Sequence, residues 1–174
     1  METVISTLIV IALLILAIVG LSQVSITSQA LIAKSAGLMQ ERTGDRARTN
    51  ISSLGAQTMP VDASTDAVQI TLKNIGSTKL SDFDQWDVIL QYTDGTNNPV
   101  ARWYPPGNGA NQWNETIYLD ASTQTAEIIE PGIFNPGEEM VVTINVSPVV
   151  GAGSTNLAVI ATPNGISAST VFTN

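Results

Sequence analysis

The fold of this chain is decided by residues 3–33, TVISTLIVIALLILAIVGLSQVSITSQALIA, which contain no charged residue. Thirteen of the eighteen residues from 4 to 21 are Val, Ile or Leu. Eighteen consecutive apolar residues are enough for a helix to cross a bilayer. Burying thirteen large aliphatic side chains contributes roughly 20–40 kcal/mol as an upper bound, so this segment does not remain in water. It lies in lipid or in a protein core.

A signal peptide and a simple membrane anchor are two alternatives for this segment. A signal peptide requires a basic stretch before a short apolar core, and the chain instead starts with Met1 and Glu2. A simple anchor would have its basic flank after the apolar run, which by the positive-inside rule holds the rest of the chain in the cytoplasm. Four basic residues form that flank: Lys34, Arg42, Arg46 and Arg48.

The third alternative is a long helix that buries its apolar front against other copies of itself. No proline occurs before Pro60, and Val24, Leu31 and Leu38 recur every seven residues, which is typical of a helix that packs on one side. Residues 1–55 are therefore predicted to be a hydrophobic and amphipathic helix that serves as a filament core or a membrane anchor. The residues expected to pack in such a core are Val4, Ile5, Leu8, Ile9, Ile11, Leu14, Ile15, Ile18, Leu21, Val24, Leu31 and Leu38.

Charge and composition exclude several classes of function. The formal net charge is −8, and residues 51–174 alone carry −9. An acidic body argues against nucleic acid as a partner, because nucleic-acid binding needs a basic surface. The chain has no Cys and no His, which removes thiolate nucleophiles, imidazole bases and the usual zinc ligands. No catalytic motif is present, so we expect neither an enzyme nor a cofactor nor a small-molecule substrate.

From Thr58 the periodicity changes to that of strands. Apolar and polar residues alternate most clearly in Val68-Ile70-Leu72 and Val142-Ile144-Val146, and Gly/Pro/Asn-rich turns separate the runs. The fold class is therefore α+β: the long helix is followed by an immunoglobulin-like antiparallel β-sandwich over residues 56–174, with Trp86 in its core. The eight predicted strands are 67–74, 86–93, 101–104, 115–120, 125–130, 139–147, 157–162 and 169–173.

Three short stretches carry a resemblance to a known group: STLIVIALLILAIVG in the helix, VQITLKNIGSTKL after it, and ATPNGISAS near the end. With a hydrophobic helix at the front and an all-β domain behind it, the chain resembles the type IV pilin superfamily and, within it, archaeal-type flagellins (archaellins). Bacterial type IV pilins typically have Glu at position five of the mature chain, where this chain has Ile5. The resemblance implies a basic leader that is removed, so that the mature chain starts at Met1.

The resemblance further implies a structural function. The chain would be the subunit of an extracellular helical filament for motility, with adhesion as an additional role. It would be inserted in the membrane before assembly and served by separate motor and assembly proteins. Two alternatives stay open: a membrane-anchored accessory or stator protein that binds the filament or the surface layer, and a non-motile adhesive pilin.

Three further features are candidate sites. Asn50, Asn114 and Asn145 each start an Asn-x-Ser/Thr sequon, and Asn114 is the preferred glycosylation site because it follows a Pro/Gly-rich loop. Carboxylates at 82, 84 and 87 could bind Ca²⁺, but a solvated acidic turn is favoured over a metal site. Residues 101–113 concentrate Trp103, Tyr104 and Trp113, and we expect at least one of these tryptophans to be a core residue rather than a contact for a partner.

Overall fold

The computed structural model describes residues 2–174, so that Met1, the expected start of the mature chain, lies outside the described residues. The chain divides into two compact units, residues 1–44 and 45–174. One α-helix, α1, runs over Glu2–Arg48. It ends at Arg48 and not at residue 55, because residues 51–60 form a strand that the sequence pattern does not reveal.

The second unit contains the last turn of α1 and nine strands, and we call residues 51–174 the β domain. The nine strands are β1 (Ile51–Pro60), β2 (Asp66–Asn74), β3 (Asp87–Thr93), β4 (Pro99–Tyr104), β5 (Trp113–Asp120), β6 (Thr125–Ala126), β7 (Glu139–Val146), β8 (Thr155–Ala161) and β9 (Ser167–Thr173). A single 3₁₀ turn, Phe83–Gln85, precedes β3.

The strands form two antiparallel sheets with the order β1-β2-β7-β5-β6 and β4-β3-β8-β9. Apart from the short β6, this order is the A-B-E-D and C′-C-F-G arrangement of an immunoglobulin sandwich, which confirms the predicted fold class. Seven of the eight predicted strands match β2–β5 and β7–β9. The strand predicted over 125–130 is wrong in length, since only Thr125–Ala126 pairs, with β5, and Ile128 and Ile129 that follow are exposed.

Alternation along the central strands builds the core between the sheets. Every second residue of β7, from Met140 to Val146, is fully buried, as the sequence pattern predicts. Trp86 is buried as expected, and its Nε1 donates to the carbonyl of Ser81 at 3.2 Å. The largest fully buried side chains are Trp86, Trp113, Tyr104, Phe134, Ile70, Leu72, Leu90, Met140, Ile144 and Ile160.

Three turns of the β domain are organised by an aspartate that accepts hydrogen bonds from residues two to four positions later in the chain. These bonds favour the ionised carboxylate and hold its pKa below the usual value. The bonds that contribute most are those from the Ser64 amide to Asp62 (2.7 Å), from the Asn98 amide to Asp94 (2.9 Å) and from the Ser122 hydroxyl to Asp120 (2.6 Å).

Candidate filament helix and the loops at its carboxyl end

The aliphatic side chains of the apolar front of α1 are not buried by any other part of residues 2–174. All twelve residues predicted to pack in a core are exposed, and the thirteen aliphatic side chains of residues 4–21 are each 49–72 % exposed. The most apolar 18-residue window of α1 has a mean hydropathy of 3.1, and none of it is buried. By length and composition α1 is therefore a candidate membrane span. A helix that is apolar on all sides belongs in lipid or among other helices.

The carboxyl end of α1 belongs to the second unit, where backbone amides of the β2–β3 connection bond the last carbonyl of the helix and the carbonyl of Asn50. The carbonyl of Arg48 accepts the Ser77 amide at 2.9 Å. The carbonyl of Asn50 accepts two amides, those of Ile75 and Gly76, at 3.0 Å each. Because the last four carbonyls of a helix have no partner inside the helix, donors from elsewhere in the domain help to define where it stops.

Asn74 organises the turn that supplies these amides. Its side chain is completely buried. Its Nδ2 donates to the carbonyls of Thr78 and Phe134 at 2.9 Å, and its Oδ1 accepts the Gly76 amide at 3.1 Å. A Cβ on Gly76 would lie 2.5 Å from both the Arg48 carbonyl oxygen and the Asn50 nitrogen, so only glycine allows this approach.

A second loop reaches the same place from the β8–β9 turn. Thr49 is buried, and its hydroxyl donates to the Asp45 carbonyl at 2.8 Å while it accepts from Asn164 Nδ2 at 2.7 Å. Asn164 Oδ1 in turn accepts from the hydroxyl of Thr162 at 2.5 Å. Residues 48–50 are thus held by two separate loops, the β2–β3 connection between the sheets and the β8–β9 turn of the four-stranded sheet.

Two of the three stretches that carry the sequence resemblance therefore share one structural role. The first is the apolar helix, and the other two contain the loops that hold residues 48–50. The matching family model, archaeal-type flagellin, covers residues 2–172. The chain belongs to the archaeal-type flagellin family. This family consists of structural filament proteins. It therefore confirms the predicted structural function and gives no support to an enzymatic one.

Solved structures show the same fold. This archaeal-type flagellin is similar to the archaeal flagellum of Methanospirillum hungatei strain JF1, with 15% identity, a TM-score of 0.59, and coverage of 97% of this chain and 90% of that one. It is also similar to the archaellum periplasmic stator protein FlaG of Sulfolobus acidocaldarius, with 20% identity, a TM-score of 0.52, and coverage of 71% and 99%. No curated protein sequence matches the flagellin significantly.

The three sequons of the flagellin differ in the hydrogen bonds that the side-chain amide nitrogen of the asparagine makes. Asn50 is exposed, and its side chain makes no hydrogen bond to a described residue. Asn114 Nδ2 donates to Asn108 Oδ1 at 2.5 Å. Asn145 Nδ2 donates to the carbonyls of Asn108 and Gly109 at 3.3 Å. The amide nitrogen of Asn50 is thus without a partner among residues 2–174, and the preference for Asn114 stays a prediction.

The remaining candidate features have structural explanations. Trp113 and Tyr104 are fully buried, which confirms the expectation for one tryptophan, while Trp103 is half-exposed and donates its Nε1 to Asp87 at 3.0 Å. Asp82 and Asp84 are exposed in the turn beside Trp86. Within residues 2–174 no group of three or more acidic side chains is placed to hold a metal ion.

Proposed function

We propose that this archaeal-type flagellin is the repeating subunit of an extracellular helical filament used for motility, with adhesion as an additional role. The observation that carries the proposal is the contrast in burial between the two parts of the chain. Residues 4–21 expose aliphatic side chains on every side, whereas the β domain buries its own core. In the filament, the α1 helices of many copies pack together and remove this apolar surface from water.

Before assembly, α1 is inserted in the membrane. Residues 4–21 span about 27 Å at 1.5 Å per residue, close to the roughly 30 Å thickness of the hydrocarbon layer. Leaving the bilayer for a bundle of similar helices exchanges one apolar environment for another. The move therefore does not expose the aliphatic side chains to water. Close packing between the helices determines which helices associate.

The β domain supplies the solvent-facing part of the filament. Its charge of −9 keeps it hydrated and makes copies repel each other, so that the affinity for assembly comes from α1. At least one of the three sequons carries a glycan, which extends this hydrated surface. Force is produced by separate motor and assembly proteins, since the subunit itself has no catalytic role.

A stator-like accessory protein is the second candidate. The similarity to the stator protein FlaG favours it, because 71% of this chain covers nearly all of that protein. In that case α1 would remain in the membrane, and the β domain alone would bind the filament or the surface layer. A variant that disturbs α1 without disturbing the β domain separates the two functions.

Leu14→Asp is such a variant. It places a carboxylate among packed aliphatic side chains, where burial without a partner costs several kcal/mol. We expect cells that produce only this variant to have no filaments. The matched control is Leu54→Asp, the same exchange at an exposed position of β1, which should leave filaments in place. Normal filament numbers with Leu14→Asp, counted by electron microscopy, would show that α1 is not the packed core.

A further inference from the structure

The outer face of the five-stranded sheet contains a trough of about 500 Å³. Its floor consists of side chains of β2 and β7 that point away from the core, among them Gln69 and Val141. One wall is β1 at its bulge next to Gly55, and the other is the β5–β6 turn with Tyr118 and Gln124. At roughly 30 Å³ per water molecule, this space holds about 17 atoms of that size, against the roughly eleven heavy atoms of one hexose residue.

The trough offers uncharged hydrogen-bonding groups and an aromatic ring. Gln57 Nε2 donates to Gln69 Oε1 at 3.1 Å, which leaves Gln57 Oε1 and Gln69 Nε2 without a partner among residues 2–174. The carboxylate of Glu139 is bonded on both oxygens, by Lys73 Nζ at 3.1 Å and by the Ala121 amide at 3.0 Å. Amide side chains donate and accept hydrogen bonds, as the hydroxyl groups of a sugar do, and the tyrosine ring in the wall adds an apolar surface with a polar tip. The trough therefore suits an uncharged sugar better than an ionic ligand.

Asn114 lies on the same face of the sheet as the trough. It pairs with Thr143, which in turn pairs with Gln69, so that the three side chains form one row across the sheet. Two strand spacings separate Asn114 from Gln69, a distance of roughly 10 Å. The sequon hydroxyl of Thr116 lies on this face too, between Asn114 and Tyr118 along β5. A glycan of a few sugar residues attached to Asn114 therefore reaches the trough.

The loop before β5 closes the opposite direction. Asn108 Oδ1 accepts from Asn114 Nδ2 at 2.5 Å, and the Asn108 carbonyl accepts from Asn145 Nδ2 at 3.3 Å. Because Asn145 is one row further from the trough than Asn114, this loop lies on the side of Asn114 away from the trough. A glycosylated asparagine keeps one N–H, so the bond to Asn108 persists and orients the linked amide. Of the other two sequons, that of Asn145 lies under the loop, and that of Asn50 lies at the end of α1.

We propose that a glycan attached to Asn114 lies along the outer face of the five-stranded sheet of its own chain, with its sugars bound in the trough. The glycan then stabilises the β domain in addition to hydrating it. This proposal rests on the glycan of the proposed function and assigns both its attachment site and the surface that binds it.

Two exchanges, made singly and together, test whether the glycan and the trough interact. Thr116→Val removes the sequon and keeps a β-branched side chain on the sheet, and the loss of mass in this variant measures the glycan at Asn114. Gln69→Ala removes one amide from the trough. Tm is measured on subunits purified from the native host and dissociated in detergent. Gln69→Ala should lower the Tm of the glycosylated chain by about 4 °C, against about 1 °C in the Thr116→Val background, where only the exposed bond from Gln57 is lost.

Two matched controls accompany these variants. Thr116→Ser keeps the sequon, so it should retain both the glycan and the larger effect of Gln69→Ala. Gln91→Ala changes a glutamine on the outer face of the four-stranded sheet and should shift the Tm equally with and without the glycan.

Three results would overturn the proposal. A Thr116→Val chain that loses no mass beyond the exchange itself would show that Asn114 carries no glycan. Equal Tm shifts for Gln69→Ala in both backgrounds, with the glycan present at Asn114, would show that the trough does not bind it. A difference seen only in intact filaments would place the glycan on a neighbouring copy. Each of these results leaves the filament function intact, which Leu14→Asp tests separately.

Discussion

Replacing Gly76 by alanine tests whether the turn after β2 holds the end of α1. The new Cβ would lie 2.5 Å from two backbone atoms, at Arg48 and Asn50, which cannot move without displacing the segment. Three hydrogen bonds are then lost or stretched, those from residues 75–77 to the carbonyls of residues 48 and 50. At about 1 kcal/mol each, their loss lowers the free energy of unfolding by about 3 kcal/mol. That is a large part of the 5–15 kcal/mol typical of a domain.

Thermal unfolding of the full-length chain in detergent measures this effect. All three tryptophans lie in the β domain, so their fluorescence reports on that unit without any truncation. A loss of about 3 kcal/mol should lower the Tm by roughly 10 °C for a unit of this size. Hydrogen exchange should show loss of protection at the amides of residues 75–77.

The matched control is Gly95→Ala. There the new Cβ would meet only a methyl group of Val149, at 3.2 Å, and a side chain can shift where a backbone cannot. We expect its Tm to stay within a few degrees of the wild type, on the scale of about 2–4 °C per kcal/mol. A Gly76→Ala variant with the Tm of this control would refute the role assigned to the turn.

Three further predictions concern the two units and the surface of the β domain. A chain that starts at Asp45 should be soluble, folded and monomeric. A chain that starts at Ala56 should be strongly destabilised, because it lacks half of β1. Equal Tm values for the two chains, or filaments formed by the chain that starts at Asp45, would contradict this prediction. At least one of the three sequons should carry a glycan, so that filaments from the native host have a mass above that of the bare chain; an unmodified mass would refute the glycan alone. The three aspartates that organise turns have folded pKa values below the unfolded value of about 3.9, so their stabilisation is complete above about pH 5 and is lost below about pH 4. The Tm difference between wild type and Asp94→Asn should therefore shrink as the pH falls below 4, and a constant difference would contradict the pKa assignment.

The sequence predicts the elements whose pattern reflects burial. The uncharged run of residues 3–33 predicts α1, and alternation predicts central strands such as β2 and β7, because both patterns result from facing an apolar environment. It does not predict β1, since ISSLGAQTMP contains no apolar alternation. This edge strand is held by backbone pairing to β2, which leaves no mark on side-chain polarity.

The strand predicted over 125–130 fails for the opposite reason. Ile128 and Ile129 are apolar, yet neither is buried within the described chain. The contacts at residues 48–50 could not be derived from periodicity either, because they depend on polar side chains from loops far apart in sequence. In the sequence, Asn74 and Asn164 are typical turn residues. Their role in holding residues 48–50 is visible only from their hydrogen-bond partners in the structure.

A density map of the assembled filament tests the central claim most directly. Full-length protein should be assembled from detergent and imaged by electron cryomicroscopy. We expect long helical filaments in which residues 4–21 of every copy lie in a continuous bundle at the axis and the β domains face the solvent. Particles that remain single and depend on detergent, or filaments in which residues 4–21 lie outside the packed core, would contradict the account.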